Sequence, residues 1–531
     1  MTFIQKIFNI KVRCGDVYLK TYGRTTILAP YSEQEILDLY NENINELDIV
    51  ITNILNSSSA IHDQNKSETL YLKGYLYGDQ DIKNKEKFTR EEINNKSTEN
   101  WVWCFNEFKK TYLLGKPIQY VELQPTDEDE ISTLNRYVRY DGKKAKDMQI
   151  YEDMLICGRG FRYTNKNARF GEDGKSPFEN INCNPEDTEV VYSNRLGNEQ
   201  LFAYIVTPMQ YMEKVTDDRG MLVDQPKDYS LYTVYLRNAT LTYSDKGGSL
   251  VRIEEPKPLL WKKHIITEYY LNKKRISMVE IGKDLFDDIN YLESLDKDDM
   301  EQFVNAILVF TNATVSEEDL SEIKELGAVS INSTEQKKAS VDLLQGRLSA
   351  TDTQTYYMRL LTALHQILGV PMAGENGSIT YGDTGQAKLT GQGYTDAGIR
   401  AEGDTTMFGV CDLKSLEVAL EICKGTENSG INTLNISDIE AQFQRDKSEN
   451  LLVKTQALIN LLQCDIPRGI ANASVNLFSD PQGVTKLQED LFGEQVSQQG
   501  KKQESTTSIE NQANEQNNEI TRASQSDLQK K

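Results

Sequence analysis

Three aspartates have the spacing of a possible metal site. Asp284, Asp287 and Asp288 lie at positions i, i+3 and i+4, which on a helix places their carboxylates on one side. Carboxylate oxygens are the ligands that hard divalent cations prefer, so a metal-dependent enzyme is one hypothesis. Further acids continue around the same segment, namely Asp296, Asp298, Asp299 and Glu301. Because no second convergent motif accompanies them, the sequence favours a solvated acidic helix face over a metal site.

Two glycine-containing stretches resemble nucleotide-binding motifs only in part. "RFGEDGKSPF" ends like a phosphate loop, but Arg169 replaces the required first glycine and Pro177 stands where the helix should begin. We therefore predict a turn there. "GRGFRY", residues 158–163, lacks the third glycine of a dinucleotide fingerprint and is interpreted as a bend in a strand.

Nothing else in the chain predicts catalysis or a cofactor. The three histidines lie in no recognisable catalytic motif, and the seven cysteines are scattered without CxxC pairs. Reduced, buried thiols are expected, without zinc or disulfides. The sequence therefore predicts no catalytic residue, no metal ligand and no cofactor, and it favours a non-enzyme.

Length and charge limit the class of protein. With 531 residues, the chain is long enough for several modules. Its net charge of -22 and pI near 4.8 argue against tight binding of DNA or of an anionic membrane. No stretch approaches the roughly 18 apolar residues of a membrane span, so a soluble protein made in the cytosol is expected.

The elements that must position the acidic face follow from hydrophobic spacing. Surface helices are predicted from Glu33 to Leu55 and from Trp101 to Leu114, and short strands fill residues 118–253, including a hairpin about Asp245 to Gly248. A long amphipathic helix from Val279 to Phe303 is expected to bury Ile281, Leu285, Ile289, Leu292, Leu295, Met300 and Phe303.

The second half of the chain is predicted to be mainly helical. A strand, a helix capped by Ser316 and further strands follow the acidic helix, and then comes a second helix from Thr351 to Gly369 with Tyr356, Leu360, Leu361, Leu364 and Leu368 on one side. A glycine-rich loop and a kinked helix follow Pro371. Further helices are predicted at Asp446 to Leu462, Pro467 to Leu477 and Asp480 to Leu491. The fold class is α+β.

The order of several segments resembles one family. The segments are "YLKGYLYGDQDI", "NKSTENWVWCFNEFKKTYLLGKPIQYVEL", "MLICGRGFRY", "NCNPEDTEVVYSN" and the acidic helix that runs into "NAILVF". In this order they resemble the portal, or head-to-tail connector, proteins of tailed double-stranded-DNA bacteriophages, in the siphovirus branch of Gram-positive hosts. The glycine density after Pro371 and the Ser277–Met278 pair depart from the family pattern.

The resemblance implies a portal-type architecture with an α/β wing, a two-helix stem, a small α/β clip, a long kinked helix and a helical crown. Residues 1–277 would form the N-terminal region and wing, 278–303 the first stem helix, 304–345 the clip, 346–369 the second stem helix, 370–386 the tunnel loop, 387–424 the kinked wing helix, 425–493 the crown and 494–531 a disordered tail.

The resemblance also implies a function. Twelve copies would form a ring at one capsid vertex of the virion, after assembly in the host cytoplasm, as the conduit for genome packaging and ejection. Partners would be double-stranded DNA, bound weakly and without sequence specificity, the terminase large subunit, a head-completion adaptor, and the major capsid and scaffolding proteins, with no membrane. Carboxylates lining the channel would repel phosphates, so that DNA slides.

Candidate site residues follow from this assignment. The acidic face of the stem would comprise Asp284, Asp287, Asp288, Asp298 and Glu301. The tunnel loop would present Met372, Glu375, Asn376, Ser378, Thr380, Tyr381 and Asp383. Partner contacts of the clip would be Glu317, Glu318, Asp319, Glu322 and Glu325. A metal-dependent enzyme and an unrelated acidic scaffold or adaptor remain the alternatives.

Overall fold

The fold contains both helices and sheets, which confirms the predicted α+β class. The structure, a computed structural model, describes residues 22–87, 91–123, 128–216, 222–304, 307–311, 340–344, 350–372, 394–444, 451–464, 466–475, 477 and 484–485. The chain forms two compact units. The first holds the described residues up to 444, and the second holds those from 451 onward.

The chain enters the first unit through a short strand and two helices. These are β1 (Ile27–Ala29), α1 (Glu33–Glu42) and α2 (Ile44–Leu76). Asn43 ends α1 and caps α2, so the single predicted helix is two helices, and the second continues 21 residues past Leu55. Helix α2 lies at the surface as predicted, with one face buried in the core along its whole length and the opposite face exposed.

The next helices include two that the sequence did not predict. Helix α3 (Trp101–Leu114) has the predicted bounds and also buries one face, and β2 (Gln119–Glu122) follows it. The segments taken as strands after β2 instead begin with α4 (Glu128–Tyr140) and α5 (Lys143–Ile156). The interpretation of "GRGFRY" as a bend within a strand is corrected, since the left-handed Gly158 (φ 82°) joins α5 to the strand that follows.

Nine strands then build two sheets. They are β3 (Arg159–Lys166), β4 (Phe178–Cys183), β5 (Thr188–Ser193), β6 (Gln200–Thr216), β7 (Leu222–Tyr235), β8 (Ala239–Ser244), β9 (Val251–Arg252), β10 (Lys257–Pro258) and β11 (Ile266–Tyr270). The larger sheet has the order β1-β5-β6-β7-β8-β10, with β9 also on β8, and the smaller has the order β11-β3-β4. The hairpin about Asp245 to Gly248 and the turn in "RFGEDGKSPF" are confirmed.

Two long helices flank a strand pair in the remainder of the first unit. They are α6 (Met278–Val304) and α7 (Ala350–Leu368), and between them β12 (Ile307–Thr311) pairs antiparallel with β13 (Ser340–Leu344). The predicted helix capped by Ser316 lies outside the described residues. The second helix buries its predicted leucines but exposes Tyr356, which is a correction.

The last elements are α8 (Tyr394–Lys424), β14 (Ile439–Gln442), α9 (Leu451–Gln463) and α10 (Arg468–Val475). Because β14 pairs with β2, residues 425–444 belong to the first unit and are turns and a strand, which corrects the prediction of helices from residue 425 onward. The helices predicted at Asp446 to Leu462 and Pro467 to Leu477 are present as α9 and α10.

Three buried apolar clusters of described residues hold the first unit together. The largest joins α3, α5, α6, α7 and α8, the second places α2 on the large sheet, and the third lies between β3 and β11 of the small sheet and β5 and β6 of the large one. The described cysteines are free thiols, but Cys104 and Cys464 are exposed, contrary to the expectation of burial. Within the described residues, every helix is too short or too polar to span a membrane.

Candidate functional site

The acidic helix α6 packs against α7 through a narrow apolar contact. Phe286, Ile289 and Leu364 are buried there. Gly282 allows the close approach, because a Cβ at this position would lie 2.8 Å from the Phe286 ring and 3.1 Å from Leu364 Cδ1. A larger residue at position 282 would therefore push the two helices apart.

The N-terminus of α6 is fixed by a capping box and a buried ion pair. Glu280 N donates to Ser277 Oγ (3.0 Å), and Ser277 N donates to Glu280 Oε2 (2.7 Å). The other oxygen of Glu280 accepts from Gly23 N (2.8 Å) and from Arg24 Nη2 (2.5 Å). The first turn is thereby attached to the segment that enters the fold.

The three aspartates of the disfavoured metal-site hypothesis are not brought together as one site. Lys283 lies between Asp287 and Asp81, with Nζ 2.6 Å from an oxygen of each, and Tyr75 also donates to Asp287 (2.7 Å). Burial alone would lower the pKa of Lys283, but the neighbouring carboxylates of Asp287 and Asp81 raise this pKa by more. The Lys283 ammonium is therefore charged, and it lies between the two carboxylates where a metal ion would otherwise bind. Asp284 is exposed. Among the described residues no group of three metal-ligating side chains could hold an ion.

A polar ladder joins the second half of α6 to an extended segment. Asn95 N donates to Asp298 (2.6 Å), Ser97 N to Ser294 (2.9 Å) and Glu99 N to Asn290 (2.7 Å). Two residues of extended chain span about 6.6 Å, and four residues of helix span about 6 Å. Because these lengths are similar, every second backbone amide of the extended segment lies beside every fourth side chain of α6. We call residues 95–99 with these three side chains the polar ladder. Its hydrogen bonds satisfy backbone N–H groups that would otherwise need a neighbouring β-strand as partner.

Asp298 is buried rather than solvated, which corrects its predicted place on the acidic face. Its side chain is 1% exposed and pairs with Lys85 (2.9 Å) and Lys87 (3.2 Å), the first of which is itself fully buried. Burial alone would raise the pKa of Asp298, but hydrogen bonds from Lys85 and Asn95 lower it. Asp298 therefore anchors the helix as a carboxylate.

The apolar face predicted for α6 is also rotated from the observed one. Ile281 and Met300 are 54% and 66% exposed, while Phe286, which lay outside the predicted arc, is 2% exposed. The reason is the polar ladder, which buries Asn290 and Ser294 in place of apolar side chains. Exposed acids do remain on α6, but they are spread around the helix and do not form one face. Asp284, Asp296 and Glu301 are exposed, whereas Asp287, Asp288 and Asp299 are partly covered.

Contacts at the C-terminus of α7 hold the start of the predicted tunnel loop. Gly369 has a left-handed φ of 67°. Arg400 on α8 donates to the free carbonyls of Ile367 (2.6 Å) and Gln366 (2.9 Å). Met372 is half-buried beside Thr362. The other tunnel-loop candidates, Glu375 to Asp383, and the clip candidates, Glu317 to Glu325, lie outside the described residues.

A buried ionic cluster ties several elements of the first unit together, and the sequence did not predict it. Lys143 and Arg162 contact both Asp147 and Asp412, at 2.7 to 3.4 Å, and Tyr120 donates to Asp412 (2.6 Å). Its members come from α5, β3, α8 and β2. Two cations and two carboxylates balance, so removing any one of them would leave an uncompensated buried charge among these elements.

Comparison with known families gives one match. The model of the family described as "Phage portal protein, SPP1 Gp6-like" matches residues 55–466. The matched range extends from within α2 to the end of α9, so it includes α6, α7 and the polar ladder. None of the curated proteins matches the chain.

Proposed function

The chain belongs to the family of SPP1 Gp6-like phage portal proteins, and on that premise we propose that it is the repeating subunit of a ring through which the genome enters and leaves the head. The family match over residues 55–466 is the observation that carries this proposal. A ring of twelve at one vertex of the capsid, built in the host cytoplasm, is the assembly we propose. Its role is structural, and the chemistry of DNA translocation belongs to a partner.

The exposed carboxylates of α6 support a passage role. Asp284, Asp296 and Glu301 are exposed to solvent, and Glu301 also accepts a hydrogen bond from Asn95 (2.9 Å), while Glu280 and Asp298 hold the helix in place. Fixed negative charges repel the phosphates of a duplex, so DNA would pass without sticking and without sequence preference. At 100° per residue these three side chains point in different directions around the helix, so we propose that the channel-facing acids are among them, in place of the five predicted from the sequence.

The order helix, strand pair, helix supports an assignment of parts. We propose α6 and α7 as the two stem helices and residues 304–345, which include β12 and β13, as the clip. The tunnel loop, 370–386, would follow the Arg400 cap, the long helix α8 would cross the wing, and α9 and α10 would belong to the crown.

The clip is the proposed docking platform. Glu317, Glu318, Asp319, Glu322 and Glu325 would contact the terminase large subunit and the head-completion adaptor, while the capsid and scaffolding proteins would contact other surfaces. Deleting residues 315–326 is expected to leave capsid-like particles that contain no DNA. Normal filling of the particles by that variant would contradict this assignment. A siphovirus of a Gram-positive host is the proposed source.

Neutralising the exposed acids tests the passage role. The variant Asp284→Asn/Asp296→Asn/Glu301→Gln keeps the shape of each side chain and removes three charges per subunit. We expect normal rings in negative-stain images and slower packaging, measured as DNA length per particle over time. The matched control is Glu172→Gln/Asp173→Asn, in the exposed turn between β3 and β4. Equal packaging by both variants would contradict the channel assignment.

The oligomeric state seen in the negative-stain images also distinguishes the portal function from the two alternative functions. A closed ring formed by the purified full-length chain is expected. A monomer with metal-dependent turnover that is lost in Asp284→Asn would favour the enzyme alternative, and a monomer without turnover would favour the scaffold alternative.

A further inference from the structure

Glu99, the last residue of the polar ladder, joins α6 to α7 and to the start of α3. Its backbone amide donates to Asn290 on α6 (2.7 Å). Its side-chain Oε2 accepts both from Trp101 Nε1 (2.7 Å) and from the Tyr357 hydroxyl on α7 (2.7 Å). Hydrogen bonds to a carboxylate are stronger than those between neutral groups. The Glu99 side chain therefore fixes the orientation of the Trp101 indole.

The Trp101 indole and the Phe105 ring hold the imidazole of His365, near the end of α7. The imidazole centre lies 6.1 Å from the indole and 4.8 Å from the phenyl ring, with the ring planes at 71° and 79°. Such edge-to-face contacts depend on the angle between the rings. Phe105 is 1% exposed and contacts Phe286 on α6, so its position is fixed. The orientation of the imidazole therefore depends on that of the indole.

His365 in turn holds Val370, the residue that follows the C-terminus of α7 and its left-handed Gly369. Val370 N donates to His365 O (3.0 Å), and His365 Nδ1 lies 3.0 Å from Val370 O. Because a carbonyl oxygen can only accept, Nδ1 carries the hydrogen. Burial lowers the pKa of His365, so the imidazole is neutral near pH 7. A side chain thus supports the Val370 carbonyl beyond the end of the helix.

The same face of α3 also contacts the start of α8. Trp101, Phe105, Phe108 and Tyr112 lie at i, i+4, i+7 and i+11, a spacing that places them on one side of the helix. Phe108 stacks on Tyr112 (5.4 Å), and its ring centre lies 6.4 Å from that of Tyr394, the first residue of α8. Helix α3 is therefore a common base for the end of α7 and the start of α8.

We infer that Glu99 is a positioning residue for Val370, and that it acts through Trp101 and His365. The inference deepens the proposed function and rests on it, because Val370 is the first residue of the proposed tunnel loop. Among the described contacts, none joins Glu99 directly to His365 or Val370. Loss of the carboxylate would free the indole to rotate, and the imidazole would lose one of the two rings that orient it.

Hydrogen exchange of the full-length chain, measured by mass spectrometry, tests this inference. Glu99→Ala should make the amides of residues 366–370 exchange about fivefold faster. His365→Phe keeps an aromatic ring but lacks the donor to Val370. In that background Glu99→Ala should add less than about twofold, because the final contact is already lost. The matched control is Glu92→Ala, an exposed glutamate before the ladder, which should leave these amides unchanged.

Three outcomes would overturn the inference. The first is unchanged exchange of residues 366–370 in Glu99→Ala. The second is an equal effect of Glu99→Ala with and without His365→Phe, since additive effects mean that Glu99 does not act through the imidazole. The third is that Glu99→Gln, which keeps an acceptor oxygen, speeds exchange as much as Glu99→Ala. These measurements need only the folded chain, so their failure leaves the proposed function standing. If the unaltered chain forms no ring, the proposed function itself fails.

Discussion

Replacing Asp298 by asparagine should weaken the attachment of the second half of α6 to the polar ladder. The substitution keeps the side-chain shape and an oxygen that can accept from Asn95 N, but it leaves the buried Lys85 ammonium without its carboxylate. Removing one partner of a buried ion pair costs about 3 to 5 kcal/mol. We expect the lower end, about 3 kcal/mol, because the backbone hydrogen bond survives.

Hydrogen exchange measured by mass spectrometry is the appropriate assay, because the loss is local. A change of 3 kcal/mol corresponds to a roughly 100-fold change in an opening equilibrium, so amides of α6 and of residues 95–99 should exchange about 100-fold faster. Asp296→Asn is the matched control, two residues away and exposed on the same helix. Its effect should stay within about 0.5 kcal/mol.

Equal exchange in the two variants would refute the view that Asp298 anchors the helix. The pH dependence gives a second check. Because the pKa of Asp298 is lowered in the folded chain, its contribution is present above the ordinary aspartate value of 3.8 and is lost as pH falls through the folded value. The difference between the unaltered chain and Asp298→Asn should therefore be constant near neutral pH and should shrink in acid.

Four further substitutions have defined outcomes. Gly158→Ala should cost about 4 kcal/mol or more in thermal unfolding, since φ is 82° and the new Cβ would lie 1.9 Å from a backbone oxygen, whereas Gly197→Ala, at φ 103° in open space, should cost about 1 to 2 kcal/mol. Arg400→Ala should speed amide hydrogen exchange in the last turn of α7, and unchanged exchange would show that the Arg400 hydrogen bonds do not stabilise this turn. Burial raises the pKa of Asp153 to about 7, so stability falls as pH rises from about 4 to 7, and Asp153→Asn should abolish that loss.

Local sequence patterns predicted several elements closely. Helix α3 has the predicted bounds, because Asn100 caps it and its aromatic residues repeat with helical spacing. Strand β5 coincides with the predicted "TEVVYS". The capping box of Ser277 and Glu280 also has a local signature in the sequence, which is serine followed by glutamate three residues later.

Where the local pattern was ambiguous, prediction failed. The run from Met154 to Cys157 lies within residues 118–253, for which the sequence predicts short strands, although it is the end of α5 and its turn. A short apolar run fits a buried helix as well as a strand, and only packing distinguishes them. Helix α2 extends to Leu76 through a stretch rich in serine and asparagine, because its tertiary contacts outweigh their weak helix propensity.

The sequence by itself determined the α+β class, the long helices of the second half and, through the order of its segments, the family. It could not determine which acids of α6 remain free. Asp298 and Lys85 are separated by 213 residues, and a carboxylate on a polar helix face has the same local pattern whether it meets water or a buried ammonium. Burial depends on what the rest of the chain brings to that face, so only the tertiary structure decided it.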